Sequence, residues 1–259
     1  IRRRVFSVSC ACCTSLVGAF LAGCGNPPPV GSSATPPPAA SVAQADSGTP
    51  VDGDWLVVHV PGEPAHLNPL TSTEIPARTV FASIFESLTE NENETLAVKP
   101  SLAESWEVSP DHLTYTFKLR DDAVFSSGNH LTAADVAFSL MRVKTVQGNP
   151  SFLASDIVSV TPIDDYTVAV TLGSIDPSFV AKLAFSAFSI VDSKVVMENG
   201  GTDAEDAVTA DTAEAFLNSN SAGTGPYMLE SWEPQVETVL VRNPNYTGTA
   251  PYFDRVIIS

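Results

Sequence analysis

Leu102-Ala103-Glu104-Ser105-Trp106-Glu107-Val108-Ser109 leads, across Pro110-Asp111-His112, into Leu113-Thr114-Tyr115-Thr116-Phe117-Lys118-Leu119-Arg120. In the second half, Leu113, Tyr115, Phe117 and Leu119 alternate with Thr114, Thr116 and Lys118. That two-residue period belongs to a strand with one buried face. Trp106, Tyr115 and Phe117 are then expected to build the core beneath a sheet, because aromatic side chains bury the most apolar area per residue.

Further strand signals lie on both sides. Asp54 to Val60 is a short apolar run, and Val168, Val170 and Leu172 alternate after a turn at Asp164-Asp165. Tyr227 to Trp232, Glu237 to Arg242 and Phe253 to Ile258 complete the set. Helical signals alternate with them. Pro76 suits a first helical turn, with Val80, Ile84 and Leu88 on one face beside Phe81 and Phe85. Thr132-Ala133-Ala134-Asp135 has the spacing of a capping box ahead of Val136, Leu140 and Met141. Asp176-Pro177 is a second helix start, leading into Val180, Leu183 and Phe188. The fold class that follows is α/β, with mixed sheets and antiparallel hairpins.

The N-terminus carries an export signal. Arg2, Arg3 and Arg4 form a basic start, Val5 to Phe20 an apolar stretch, and no acidic residue precedes Asp46. Leu21-Ala22-Gly23-Cys24 closes it as a lipobox. Small Ala22 and Gly23 let a peptidase approach the backbone, and the Cys24 thiol is the group nucleophilic enough to take a diacylglyceryl chain. Residues 1–23 are thus read as a lipoprotein signal peptide and Cys24 as the lipid attachment site. The alternatives are an ordinary signal peptide or a membrane helix; Ser7, Ser9, Thr14 and Ser15 interrupt the run, which is short for a bilayer span. Residues 24–50 follow as a tether, with Pro27-Pro28-Pro29 and Pro36-Pro37-Pro38 among small and polar residues that cannot bury a core.

All four cysteines (Cys10, Cys12, Cys13 and Cys24) lie at or before this cleavage point, which leaves the processed chain no thiol for a disulfide, a zinc site or a nucleophile. Loss of Arg2 to Arg4 takes Lys plus Arg from 13 to 10 against 30 Asp plus Glu, and the formal charge from −17 to −20. Nucleic acid is an unsuitable partner for such a chain. There is no Gly-x-Ser-x-Gly elbow, His-Glu-x-x-His pair, phosphate loop or dinucleotide fingerprint, and His59, His66, His112 and His130 are scattered singly. No catalytic residue, metal site or cofactor is expected.

Several stretches taken in order resemble the family 5 extracellular solute-binding proteins, which include the oligopeptide-, dipeptide- and nickel-binding proteins of ABC importers. They are the segment at Leu102 to Arg120; Val124-Phe125-Ser126-Ser127-Gly128 with Leu131 to Ser139; Gly223-Thr224-Gly225-Pro226-Tyr227; Asn243-Pro244-Asn245-Tyr246; and, upstream, Leu67-Asn68-Pro69-Leu70 and Phe85-Glu86-Ser87-Leu88. The resemblance covers Val51 to Ser259. It implies a periplasmic-binding-protein-like (type II) clamshell, of which this chain holds the first lobe and its inserted subdomain. On that pattern residues 51–90 begin lobe one, 91–174 form the subdomain, and 175–259 continue lobe one to the hinge. Family members run about twice this length, so the second lobe is expected to be absent and the chain to be an N-terminal fragment.

In peptide-binding members of the family, the turn after the first strand lays its backbone against an extended ligand. Here that turn is Gly62-Glu63-Pro64-Ala65-His66. Glu63 stands where the oligopeptide-binding members have an acidic contact residue, and Pro64 withholds one main-chain donor. The resemblance implies a monomeric receptor, lipid-anchored outside the cytoplasmic membrane, that captures a peptide or similar small solute and hands it to an ABC permease. A peptide-sensing lipoprotein without transport and a secreted enzyme are the alternatives from other classes.

Overall fold

A computed structural model describes residues 53–92, 95 and 97–259. The proposed signal peptide, Cys24 and the Pro-rich tether lie outside these residues. The strands are β1 (Gly53–Val58), β2 (Thr89–Asn91), β3 (Val98–Pro100), β4 (Ala103–Val108), β5 (Thr114–Leu119), β6 (Ile157–Asp164), β7 (Thr167–Leu172), β8 (Tyr227–Glu233), β9 (Glu237–Arg242) and β10 (Phe253–Ile258). The helices are α1 (Ile75–Ile84), α2 (Ala133–Thr145), α3 (Phe179–Lys182), α4 (Ser193–Glu198), α5 (Ala207–Ala210) and α6 (Glu214–Leu217).

Two four-stranded sheets carry the architecture. One has the order β1-β10-β9-β8, with β1 parallel to β10 and the other pairs antiparallel. The other is wholly antiparallel, β4-β5-β7-β6, and β2 and β3 form a small separate hairpin. Alternation works as expected in the second sheet: Tyr115, Phe117 and Leu119 of β5 and Val168, Val170 and Leu172 of β7 are all buried. They share a core with Phe125, Leu140 and Val143. Trp106 is half-buried and packs on Phe117 with ring centroids 6.3 Å apart. The strand β6 carries Pro162 and lies at the sheet's edge, where a residue without an N–H is tolerated.

Around the first sheet a second core gathers Val80, Phe81 and Ile84 of α1 with Leu229, Leu240 and Ile258 of the strands. Helix α2 serves both cores, since Val136 and Leu140 face one and Phe138 the other. Its start uses Asp135 as the spacing predicts. Asp135 Oδ2 accepts the Thr132 backbone N–H at 2.9 Å and the Thr132 hydroxyl at 2.7 Å. Its Oδ1 accepts the Ser193 N–H at 3.0 Å and the Ser193 hydroxyl at 2.6 Å, which ties the start of α4 to the start of α2.

Two helices are shorter than the pattern predicts. Helix α1 ends at Ile84 and Phe85 is extended, so Leu88 leaves the helical face and is buried in the other core. Its end is set by the Gly223–Pro226 loop, whose Gly225 N–H donates to the Ile84 carbonyl at 3.2 Å. The helix expected to run from Asp176 through Phe188 breaks after Lys182, giving α3 and a separate 3-10 turn at Ser186–Phe188. The residue at the N-cap of α3 is Ser178, not Asp176, whose Oδ1 accepts the Ser178 N–H at 2.9 Å in the turn just before the helix. The Ser189 hydroxyl bonds the Ser186 carbonyl at 2.6 Å, a local bond that competes with helix continuation.

Candidate functional site

The parallel strands β1 and β10 run in register from Gly53↔Phe253 to Val58↔Ile258. Their pairing continues past the last residues of both strands: the Ser259 N–H donates to the Val58 carbonyl and the Val60 N–H to the Ser259 carbonyl, each at 3.0 Å. The two strands therefore finish side by side, pointing the same way. In open α/β sheets the crevice outside the carboxyl ends of parallel strands is the usual ligand position, because loops diverge there and leave space.

A cavity of about 400 Å³ opens at that place. Val60 and Ile258 form its floor, Gly62, Glu63 and Pro64 one wall, and the β8–β9 hairpin from Trp232 to Thr238 the other. Gly62 has φ +85°, in the left-handed region that a residue with a Cβ enters only with strain, and this turns the chain out of β1 along the cavity rim. At the hairpin tip Gln235 also has positive φ, 66°, and its N–H donates to the Glu63 carboxylate. Glu63 thus clips the two walls together.

The five residues expected to contact ligand divide between the cavity and its surroundings. Gly62, Glu63 and Pro64 line it; Ala65 is exposed beyond it. His66 turns toward α6, where its Nδ1 lies 3.4 Å from Glu214, and its N–H donates to the Ser72 hydroxyl at 3.1 Å. Trp232, Glu233, Gln235, Val236, Glu237 and Thr238 were legible only as strand and turn. Nothing in a short run of apolar and acidic residues distinguishes a cavity wall from a solvated hairpin.

A second cavity, about 340 Å³, lies beside the end of α1 and is lined by Arg78, Phe81, Phe85, Glu86, Glu90 and Tyr246 among others. Burial is the main influence on Glu86 and raises its proton affinity above the ordinary glutamate range. The neighbouring Thr224 hydroxyl and the Arg120 charge pull it back, while Glu90 and Asp122 push it up. Thr224 is 2% exposed and its hydroxyl makes no hydrogen bond of standard geometry. Among the described residues no three His, Cys, Asp or Glu side chains are grouped to hold a metal ion.

Solved structures of periplasmic binding proteins share this fold, and the mixed α/β architecture is of their type II class. The oligopeptide-binding protein AppA of Bacillus subtilis, solved with a nonapeptide, superposes with a TM-score of 0.70 at 27% identity, over 81% of this chain and 40% of that one. NikZ of Campylobacter jejuni, solved with Ni(L-His), superposes with a TM-score of 0.67 at 28% identity, over 82% and 39%. Residues 97–259 match the family model described as Bacterial extracellular solute-binding proteins, family 5 Middle, and the chain belongs to that family. Among curated relatives, the probable D,D-dipeptide-binding periplasmic protein DdpA of Escherichia coli strain K12 is 32% identical over 212 residues. That alignment takes in 80% of this chain and 39% of the relative, so the chain spans about two fifths of its length.

Proposed function

We propose that this chain supplies one wall of the solute site in an extracellular binding protein that captures peptides, or small solutes of similar size, for delivery to an ABC permease. The observation that carries the reading is the cavity at the carboxyl ends of β1 and β10, in a family of solute-binding proteins. DdpA and AppA are named for peptide ligands and NikZ was solved with a nickel complex, so the family's fold admits several chemistries. Backbone at Gly62 and Glu63 is exposed along the rim and can meet an extended ligand as a neighbouring strand would.

In this reading residues 51–90 and 175–259 belong to the lobe that bears the cavity, and 91–174 form a subdomain set into it. Cys24 is the lipid anchor and residues 25–50 the tether that holds the receptor off the membrane. The test is isothermal titration of the intact protein against a mixed di- to pentapeptide library. Trp232→Ala removes the largest apolar side chain of the cavity and is expected to weaken binding about tenfold or more, with the fold retained. Undiminished binding by Trp232→Ala would place the solute elsewhere.

A further inference from the structure

The second cavity, beside the end of α1, is lined by two charged groups that the fold leaves unpaired. Glu86 is half-buried, and among the described residues its carboxylate makes no ion pair and no hydrogen bond of standard geometry. Arg78 lines the same cavity from the exposed side of α1 and is likewise without an ion pair among these residues. The other charges nearby are matched: Glu90 pairs with Lys99 at 3.0 Å and Arg120 with Asp122 at 2.9 Å. A half-buried carboxylate that lacks a donor is unfavourable, and a bound donor would offset that cost.

Thr224 is an independent sign of a ligand. It is 2% exposed, and its hydroxyl is the one buried side-chain nitrogen or oxygen without a hydrogen-bond partner among the described residues. That hydroxyl lies beside the Glu86 carboxylate, close enough to favour its charged form, in the loop whose Pro226 also lines the cavity. The Tyr246 phenol, from a third segment, makes no hydrogen bond among these residues and is held protonated by burial and by the Glu86 charge. Oxygens from separate parts of the chain thus gather at one end of the cavity. From there Phe85 and Phe81 lead along α1 to Arg78, roughly 12 Å from Glu86 at the helical rise. At that separation one small ion cannot meet both charges, whereas a ligand with opposite charges at its two ends can.

We infer that this cavity is a second binding site, which takes a linear zwitterion: an ω-amino acid with an ammonium at one end, a carboxylate at the other and an apolar chain between. The ammonium donates to the Glu86 carboxylate, the Thr224 hydroxyl and the Tyr246 phenol oxygen, and the ligand carboxylate accepts from the Arg78 guanidinium. The chain lies on Phe81 and Phe85, where its methylenes leave water. Amines and acids that carry a single charge are disfavoured, because each leaves either Arg78 or Glu86 unmatched.

The site is distinct from the cavity beyond β1 and β10, so the probes are not peptides: ε-aminocaproic acid, caproic acid and hexylamine, titrated calorimetrically into the intact protein at neutral pH. ε-Aminocaproic acid is expected to bind about tenfold tighter than either single-charged analogue, the effect of one charge-assisted hydrogen bond. Glu86→Gln should bring its affinity down to that of caproic acid, and Arg78→Gln to that of hexylamine, with neither variant melting below the parent. Thr224→Val, which keeps the shape and removes the unpartnered hydroxyl, should weaken ε-aminocaproic acid several-fold without loss of stability. Trp232→Ala, in the other cavity, should leave the ε-aminocaproic acid affinity unchanged. Equal binding of the three probes, or binding of none, would overturn the inference. So would an affinity that survives both Glu86→Gln and Arg78→Gln, or one that falls with Trp232→Ala, since either result places the zwitterion elsewhere.

Discussion

Arg142 and Asp211, 69 residues apart in sequence, meet as a two-pronged ion pair with Nε at 2.8 Å and Nη2 at 2.9 Å from the two carboxylate oxygens. Their side chains are only 2% and 4% exposed. Asp211 also accepts the Thr202 N–H at 2.9 Å and the Ala213 N–H at 3.2 Å, and Arg142 lies over the Phe138 ring at 5.6 Å. The pair therefore pins the Thr202 loop and the segment leading to α6 onto the last turn of α2.

Removing one partner leaves the other charged and dry. Asp211→Ala is expected to destabilise the fold by about 3–5 kcal/mol, since an unpaired buried guanidinium has no water to replace the carboxylate. Urea unfolding followed by circular dichroism measures this. A loss below about 1 kcal/mol would mean that the pair opens to solvent.

Gly225 lies against the end of α1 so closely that a Cβ there would stand 2.6 Å from the Ile84 carbonyl carbon and 2.7 Å from the Ser83 oxygen. Both neighbours are backbone and cannot rotate away. Gly225→Ala should lower stability by about 1–3 kcal/mol and lower the melting temperature accordingly. The same substitution at Gly62, whose Cβ would meet nothing nearer than 3.9 Å, suffers only from its positive φ and should cost about 1 kcal/mol.

Burial raises the Glu86 proton affinity in the folded state above its ordinary value, so the folded chain binds this proton more readily than the unfolded chain. The stability this group contributes is fully present below the ordinary glutamate range and is lost as pH rises through the raised folded value. Glu86→Gln should therefore be more stable than the parent at neutral pH, with the advantage disappearing in acid. Thermal melts of both proteins across that range decide it, and parallel curves would show that the carboxyl is as well solvated as in the unfolded chain.

Cys24 as the lipidated residue gives a processing prediction. Globomycin should leave an uncleaved precursor in cell extracts, and Cys24→Ala should fail to mature to a membrane-bound form. Firm retention at the membrane requires more than one acyl chain, because a single chain binds a bilayer reversibly. Normal maturation of Cys24→Ala would refute the lipobox.

Much of the secondary structure was legible because its cause is local. Strand β5 declares itself through Tyr115, Phe117 and Leu119, and α2 through the Thr132–Asp135 spacing, since period and capping depend on neighbours a few residues away. The motif order from Leu67 to Tyr246 likewise identified the family from sequence alone. The Gly62–Pro64 wall was reached through that resemblance; nothing local in those residues marks a cavity.

What the chain alone left undecided depends on groups far apart in sequence. Helix α1 stops at Ile84 because the Gly223–Pro226 loop arrives against it, whereas the apolar spacing by itself continues to Leu88. The Trp232–Thr238 hairpin becomes a wall only because β10 runs parallel to β1 and brings Val60 and Gly62 beside it. The sequence marked β1, β5, β7, β8, β9 and β10 as strands, and in β5 and β7 the face they bury, since side-chain alternation is a property of each strand by itself; β2, β3, β4 and β6 carried no such mark. Strand pairing, helix ends and the cavity wall were decided by the tertiary structure, because each is a contact between surfaces that exist only after the separate elements have formed.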